Sequence, residues 1–149
     1  MNRKKCWEAL HQRSESEIEV ARQGLARALE RVDQLESQRS RLVAMRDDYQ
    51  AKLLASEQQA GAMSRSVAYR GFLAQIGALM LRVSADLDAA RAVTAGARRE
   101  LLRCEQSRSK YQMLVDREVA LELEREDAAE GRMLEEFAVS RFVINRRAV

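Results

Sequence analysis

The sequence predicts an all-α protein: a long antiparallel two-stranded coiled-coil hairpin whose second helix is longer than the first. Three observations lead there. The chain of 149 residues contains no proline and only 6 glycines, where average usage would give roughly seven prolines. A chain that seldom needs turn residues seldom changes direction. Charged residues make up 33% and aromatics only 5%, with Ala, Glu, Arg, Leu and Gln prominent, the composition of long helices rather than of a thick globular core. Finally, apolar residues recur at alternating steps of three and four along two long stretches, the signature of a coiled-coil seam.

The first stretch steps from Ile18 through Ala21, Leu25, Ala28, Val32, Leu35, Arg39, Leu42, Arg46 and Tyr49 to Leu53. Counted backwards, the same frame adds Ser14, His11 and Trp7. This predicts a helix over about residues 4–56, ~80 Å long at 1.5 Å per residue. The polar interruptions Arg39 and Arg46 can send their charged heads outward along apolar stems, and such positions help to set register. Next comes Glu57-Gln58-Gln59-Ala60-Gly61-Ala62-Met63-Ser64-Arg65-Ser66, where Gly and Ser cluster without a stripe. This segment, about 57–66, is the expected turn.

The second seam is read through Tyr69, Phe72, Ile76, Leu79, Val83, Leu87, Ala90, Val93, Ala97, Leu101, Cys104, Tyr111 and Leu114, and less regularly through Leu121, Met133 and Phe137. It predicts a helix over about 67–142. The stripe, read this way, slips by one position near Leu87 and Leu101, which predicts relaxation towards 3.6 residues per turn and a gentle curve. One turn between two striped helices makes a single hairpin over 1–149. The longer second helix leaves its last part without an intramolecular partner. Near the turn, Tyr69, Phe72, Leu73, Ile76, Leu79 and Met80 form a stripe wider than a two-helix seam covers, so Phe72 and Leu73 cannot both point inward.

Charge and chemistry narrow the function. The net charge of +3 balances 26 basic against 23 acidic residues, so no nucleic-acid partner is implied. The charge is nonetheless segmented. Residues 118–136 carry eight acids against Arg125 and Arg132, and Arg141, Arg146 and Arg147 follow with no acid after Glu136. A run such as Glu118, Glu122, Glu124, Glu126, Asp127 and Glu130 is first a solvated helix face. The basic residues Arg98, Arg99, Arg103, Arg108 and Lys110 are interleaved with Glu100, Glu105 and Asp116 at helix-neighbour spacing, which argues against a phosphate stripe.

Two cysteines, Cys6 and Cys104, fit a reducing compartment, because a small disulfide scaffold would carry more. The basic start Asn2-Arg3-Lys4-Lys5 runs into Glu8, His11 and Arg13 without an apolar stretch, unlike a signal peptide. The most apolar window, Phe72 to Leu81, falls well short of the roughly 20 residues that span a bilayer. A soluble, cytoplasmic protein is expected. A single hairpin also encloses no site for catalysis. The lone His11 falls on the seam, where packing explains it, and there is no phosphate-cradling loop or metal-ligand spacing. No enzyme activity, cofactor or metal is expected.

Three landmarks in order carry a resemblance: Arg46-Asp47-Asp48-Tyr49-Gln50 with Leu53, then Tyr69, Phe72, Leu73 and Ile76 after a polar turn, then Leu134-Glu135-Glu136-Phe137-Ala138. Their spacing resembles the FliJ family of flagellar type III export proteins, with the YscO-type injectisome proteins as more distant relatives. The resemblance covers nearly the whole chain. It implies a cytoplasmic stalk, peripheral to the inner-membrane export apparatus, whose coiled coil enters the hexameric export ATPase and links it to the cytoplasmic region of the export gate. Export chaperones are further implied partners.

The family's gate contacts carry over to Phe72 and Ile76, with Tyr69 beside them. If the turn side meets the gate, the paired termini are left for the ATPase, where Ile18, Leu25, Glu136 and Phe137, with the polar Arg13 and Arg22, are the candidates. Ala and Cys stand at second-helix seam positions where the family usually has tryptophan, and Trp7 is the only tryptophan, so flagellar and injectisome systems both stay open. The alternative function is an export chaperone or coiled-coil adaptor that holds a secreted substrate through the unpaired arm.

Overall fold

The structure, a computed structural model, describes residues 2–59, 61 and 63–148. It contains two helices, α1 over Arg3–Glu57 and α2 over Met63–Arg147, packed against each other as a helical hairpin, with no strand among the described residues. Asn2 starts α1 as its cap, its Oδ1 accepting the Lys4 backbone N–H at 3.1 Å, which satisfies a donor the helix itself cannot. The hairpin turn is shorter than the expected 57–66. Gly61 takes φ +82°, a left-handed conformation that glycine adopts without a Cβ clash. Ala60 and Ala62, also within the expected turn, lie outside the described residues.

The turn shortens because Ser64 to Ser66 join α2. Ser66 is buried beside Ser56, and their hydroxyls share a hydrogen bond of 3.1 Å, so the polarity that marked this stretch as a loop is satisfied between the helices. Glu57 and Arg70 bridge the same turn with an ion pair at 2.7 Å. At its other end α2 continues past residue 142 to Arg147, with Ala148 N–H still donating to the Ile144 carbonyl at 3.1 Å.

Contacts divide the chain into two compact units, Glu19–Leu102 and Met1–Ile18 with Arg103–Val149. In the unit 19–102, α1 presents Ala21, Leu25, Ala28, Val32, Leu35, Leu42, Arg46, Tyr49, Leu53 and Ser56 as buried or half-buried residues. All fall in the heptad frame read from the sequence, of which Arg39 alone is exposed in this stretch, while Gly24 and Val43 are half-buried outside it. Leu35, Leu87 and Ala90 form the core cluster, with Val32 packed on it. The helices are antiparallel here: Tyr49 meets Tyr69, and Glu36 meets Arg91.

On α2 the structure corrects the seam. Leu73 and Met80 are half-buried, whereas Phe72 and Leu79 are 47% and 49% exposed. Val93 is exposed and Thr94 is buried in its place. With these exchanges the buried positions Ser66, Tyr69, Leu73, Ile76, Met80, Val83, Leu87, Ala90, Thr94, Ala97 and Leu101 alternate by three and four without interruption. The expected slips near Leu87 and Leu101 therefore do not occur. They came from reading 79 and 93 as seam positions, where the frame demands 80 and 94. Thr94 tolerates burial because its hydroxyl donates to the Ala90 carbonyl at 3.0 Å. Replacing Thr94 with Val, which keeps the β-branched shape and adds a methyl to the seam, is expected to raise stability by about 1 kcal/mol, read by urea unfolding.

In the unit comprising 1–18 and 103–149, Ile18, Ser14 and Cys104 are almost fully buried. Ser14 bonds back to the His11 carbonyl at 2.6 Å. Trp7 stacks on Tyr111, ring centroids 6.5 Å apart, and Lys4 pairs with Glu122 at 3.3 Å. Beyond that pair every described residue from 123 to 148 is exposed. The expected unpartnered arm is thus present, and it is helical.

Candidate functional site

Two surfaces stand out, one in each unit. In the unit 19–102, the heptad frame places Tyr49 on α1 opposite Tyr69 and Phe72 on α2. Tyr49 stacks on Phe72, with centroids 5.4 Å apart and planes 24° from parallel, and contacts the tilted Tyr69 ring at 6.0 Å. Lys52 lies over the Tyr49 ring at 5.2 Å, a cation–π arrangement. The hydrogen bond from Lys52 to Asp48 at 3.1 Å, reinforced by the carboxylate's charge, holds the Lys52 pKa above the ordinary lysine value. The result is a half-open aromatic face edged by the exposed Lys52–Asp48 ion pair.

The three residues expected at the gate divide by burial. Phe72 is exposed and stacked, Tyr69 is half-buried, and Ile76 is 4% exposed inside the seam. Ile76 thus supports the patch from beneath instead of presenting a side chain to a partner. Sequence reading treated Tyr49 as a seam residue only and passed over Lys52. The signal lay at the edge of the landmark Arg46-Asp47-Asp48-Tyr49-Gln50, since Asp48 and the following Lys52 are four apart and flank Tyr49 on one helix.

In the unit 1–18 with 103–149, an open groove of about 530 Å³ is lined by Arg3, Cys6, Trp7, Leu10, Leu114, Arg117, Glu118 and Leu121. Its floor is apolar and its rim is charged. Among the described residues no cluster of His, Cys, Asp or Glu could hold a metal ion. Cys6 is exposed and Cys104 buried, and no disulfide joins them.

The six residues expected at the ATPase are dispersed. Arg13 is exposed and paired with Glu17 at 3.4 Å. Ile18 is 2% exposed, so it holds the hairpin together and offers no surface. Glu136 and Phe137 lie on the arm, fourteen and fifteen residues past Glu122, roughly 20 Å further along at 1.5 Å per residue. The fold does not bring them beside Arg13. Arg22 and Leu25 belong to the other unit, Arg22 exposed and Leu25 half-buried. On the arm, Arg141 covers the Phe137 ring at 5.7 Å and Arg146 covers Phe142 at 5.9 Å.

No described helix is long and apolar enough to cross a membrane. Comparison with curated proteins and with solved structures finds no match. A family model described as "Flagellar FliJ protein" matches residues 7–147, a span that takes in both helices, the turn, the aromatic face and most of the arm. The chain therefore belongs to the FliJ family, a family of the flagellar and type III export apparatus.

Proposed function

We propose that this protein is the central stalk of a type III export apparatus, entering the ring of a hexameric export ATPase and linking it to the cytoplasmic region of the export gate. The family match over 7–147 is the observation that carries this reading. The aromatic face of Tyr49, Tyr69 and Phe72 supports the gate contact, because exposed aromatic anchors on a rigid base tend to dominate binding energy. Arg13, Arg22, Glu136 and Phe137 are the exposed contacts proposed for the ATPase, with Ile18 and Leu25 keeping their helix in register. The role is mechanical, and the site of action is the cytoplasmic side of the inner membrane.

Co-purification with the export ATPase, followed by ATP hydrolysis with and without the protein, tests the stalk reading. Removing residues 131–149 deletes Glu136 and Phe137 but none of the α1–α2 contacts described above. It is expected to cut ATPase stimulation several-fold while gate binding through Phe72 persists. Loss of gate binding with stimulation retained would reverse the assignment of the two surfaces. The second reading, a chaperone or adaptor for a secreted substrate, rests on the exposed arm with Met133, Leu134 and Phe137 each more than 60% exposed. Under that reading the protein binds cargo or an export chaperone without the ring, and hydrolysis is unchanged by its addition.

A further inference from the structure

The paired ends of the hairpin, within the unit 1–18 and 103–149, present two unlike sides. On one side the positions just before the seam are Arg3 and Leu10 on α1 and Leu114 and Leu121 on α2, and with Trp7 they line the groove of about 530 Å³. The same side turns polar at Glu17 and Ser107, which lie outside the groove. On the other side the positions just after the seam are Glu8 and Glu15 on α1 and Glu105, Gln112 and Val119 on α2. That side carries acids and no base. Trp7, Leu10, Leu114 and Leu121 are half-buried, so each keeps part of its apolar surface for the groove. Leu114 and Leu121 are seven residues apart, two helical turns or about 10 Å.

An apolar slot of that length between two helices is filled by a third helix, whose apolar residues at i, i+3 or i+4 and i+7 meet the floor. Charge selects which helix. Arg3 stands on the α1 lip and Arg117 on the α2 lip, both exposed, and neither is paired with an acid among the described residues. Glu118, the one acid on the lining, is half-buried at a seam position. An unpaired guanidinium on each lip favours a carboxylate on each flank of the occupant. Resting on the stalk reading above, we propose that the groove receives an amphipathic helix from a subunit of the export ATPase ring, apolar on the face turned to Trp7 and Leu114 and acidic on both flanks. Glu8, Glu15 and Glu105 repel such a helix from the opposite side, so one subunit of the ring engages the hairpin in this way at a time. Glu136 and Phe137 lie further along α2, outside the groove, and keep the contact proposed for them.

Cys6 lines the groove and is exposed, whereas Cys104 is buried, so a maleimide-linked photo-crosslinker added to the native full chain attaches at Cys6. Mixed with the purified ATPase hexamer and irradiated, the labelled chain is expected to join one subunit per ring, through a peptide with apolar residues at helical spacing flanked by Asp or Glu. Binding of the unlabelled chain to the ring, titrated at low salt, is expected to weaken at least about tenfold in Arg3→Glu with Arg117→Glu, because carboxylates then face carboxylates. Glu8→Gln with Glu15→Gln, on the opposite side, leaves the affinity within about twofold. All four positions are exposed, so both variants keep the helicity of the parent by circular dichroism. A parent chain that does not bind the ring overturns the stalk reading and this proposal together. A parent that binds, with the arginine variant binding as tightly or the cross-link falling on a peptide without that pattern, overturns the groove assignment alone.

Discussion

Leu87→Ala is expected to lower the free energy of unfolding by about 2–5 kcal/mol. Leu87 is 2% exposed and packs with Leu35, Ala90 and Val32 in the one core cluster among the described residues of that unit. A two-helix seam buries little area for its length, so few neighbours can collapse into the vacated volume, and total stability is modest to begin with. Truncating Leu81, the same change at a position 75% exposed, should cost no more than about 0.5 kcal/mol. Urea unfolding followed by circular dichroism separates the two. Equal losses would mean that the α2 face carrying Leu87 is not the face that meets α1.

Phe72→Ala and Ile76→Ala should part company. The resemblance carried the gate contact over to both of them. Ile76 is 4% exposed, so Ile76→Ala removes core packing and is expected to cost about 2–4 kcal/mol of stability. Phe72 sits over Tyr49 at 5.4 Å with about half its surface exposed. Its truncation should cost only about 1 kcal/mol of stability, mostly the lost stacking. Gate binding, if Phe72 is the anchor of the proposed contact, should fall by about 2 kcal/mol or more, roughly thirtyfold. Thermal melts and gate-binding titrations on the single variants give the answer. A Phe72→Ala protein that binds as tightly as the parent would remove the aromatic face from the gate assignment, whatever Ile76→Ala does.

The hairpin itself was legible in the sequence because an apolar residue every third and fourth position leaves a helix no other way to bury its stripe. On α1 this sufficed. Ile18 and Leu35, both in the frame read from residue order, are almost fully buried. So did the unequal arms, since the apolar run before the turn is shorter than the run after it. The FliJ resemblance was legible too, through three landmarks whose order and spacing survive in a composition that many coiled coils share.

What the residue order left undecided was which of two adjacent side chains faces inward. Phe72 or Leu73, Leu79 or Met80, and Val93 or Thr94 are each 100° apart on one helix, and local hydropathy either does not separate them or favours the wrong one. Tertiary packing decided all three, in favour of Leu73, Met80 and Thr94, because the frame carried by Tyr69, Ile76, Val83 and Leu87 must stay continuous to keep facing α1. Hydropathy misled most where polarity could be satisfied locally. The Thr94 hydroxyl bonds its own helix and the Ser56 and Ser66 hydroxyls bond each other, so burial there leaves no donor or acceptor unpaired. The aromatic face of Tyr49 and Phe72 likewise exists only in three dimensions, where the antiparallel register of two helices sets side by side rings that lie twenty-three residues apart in the chain.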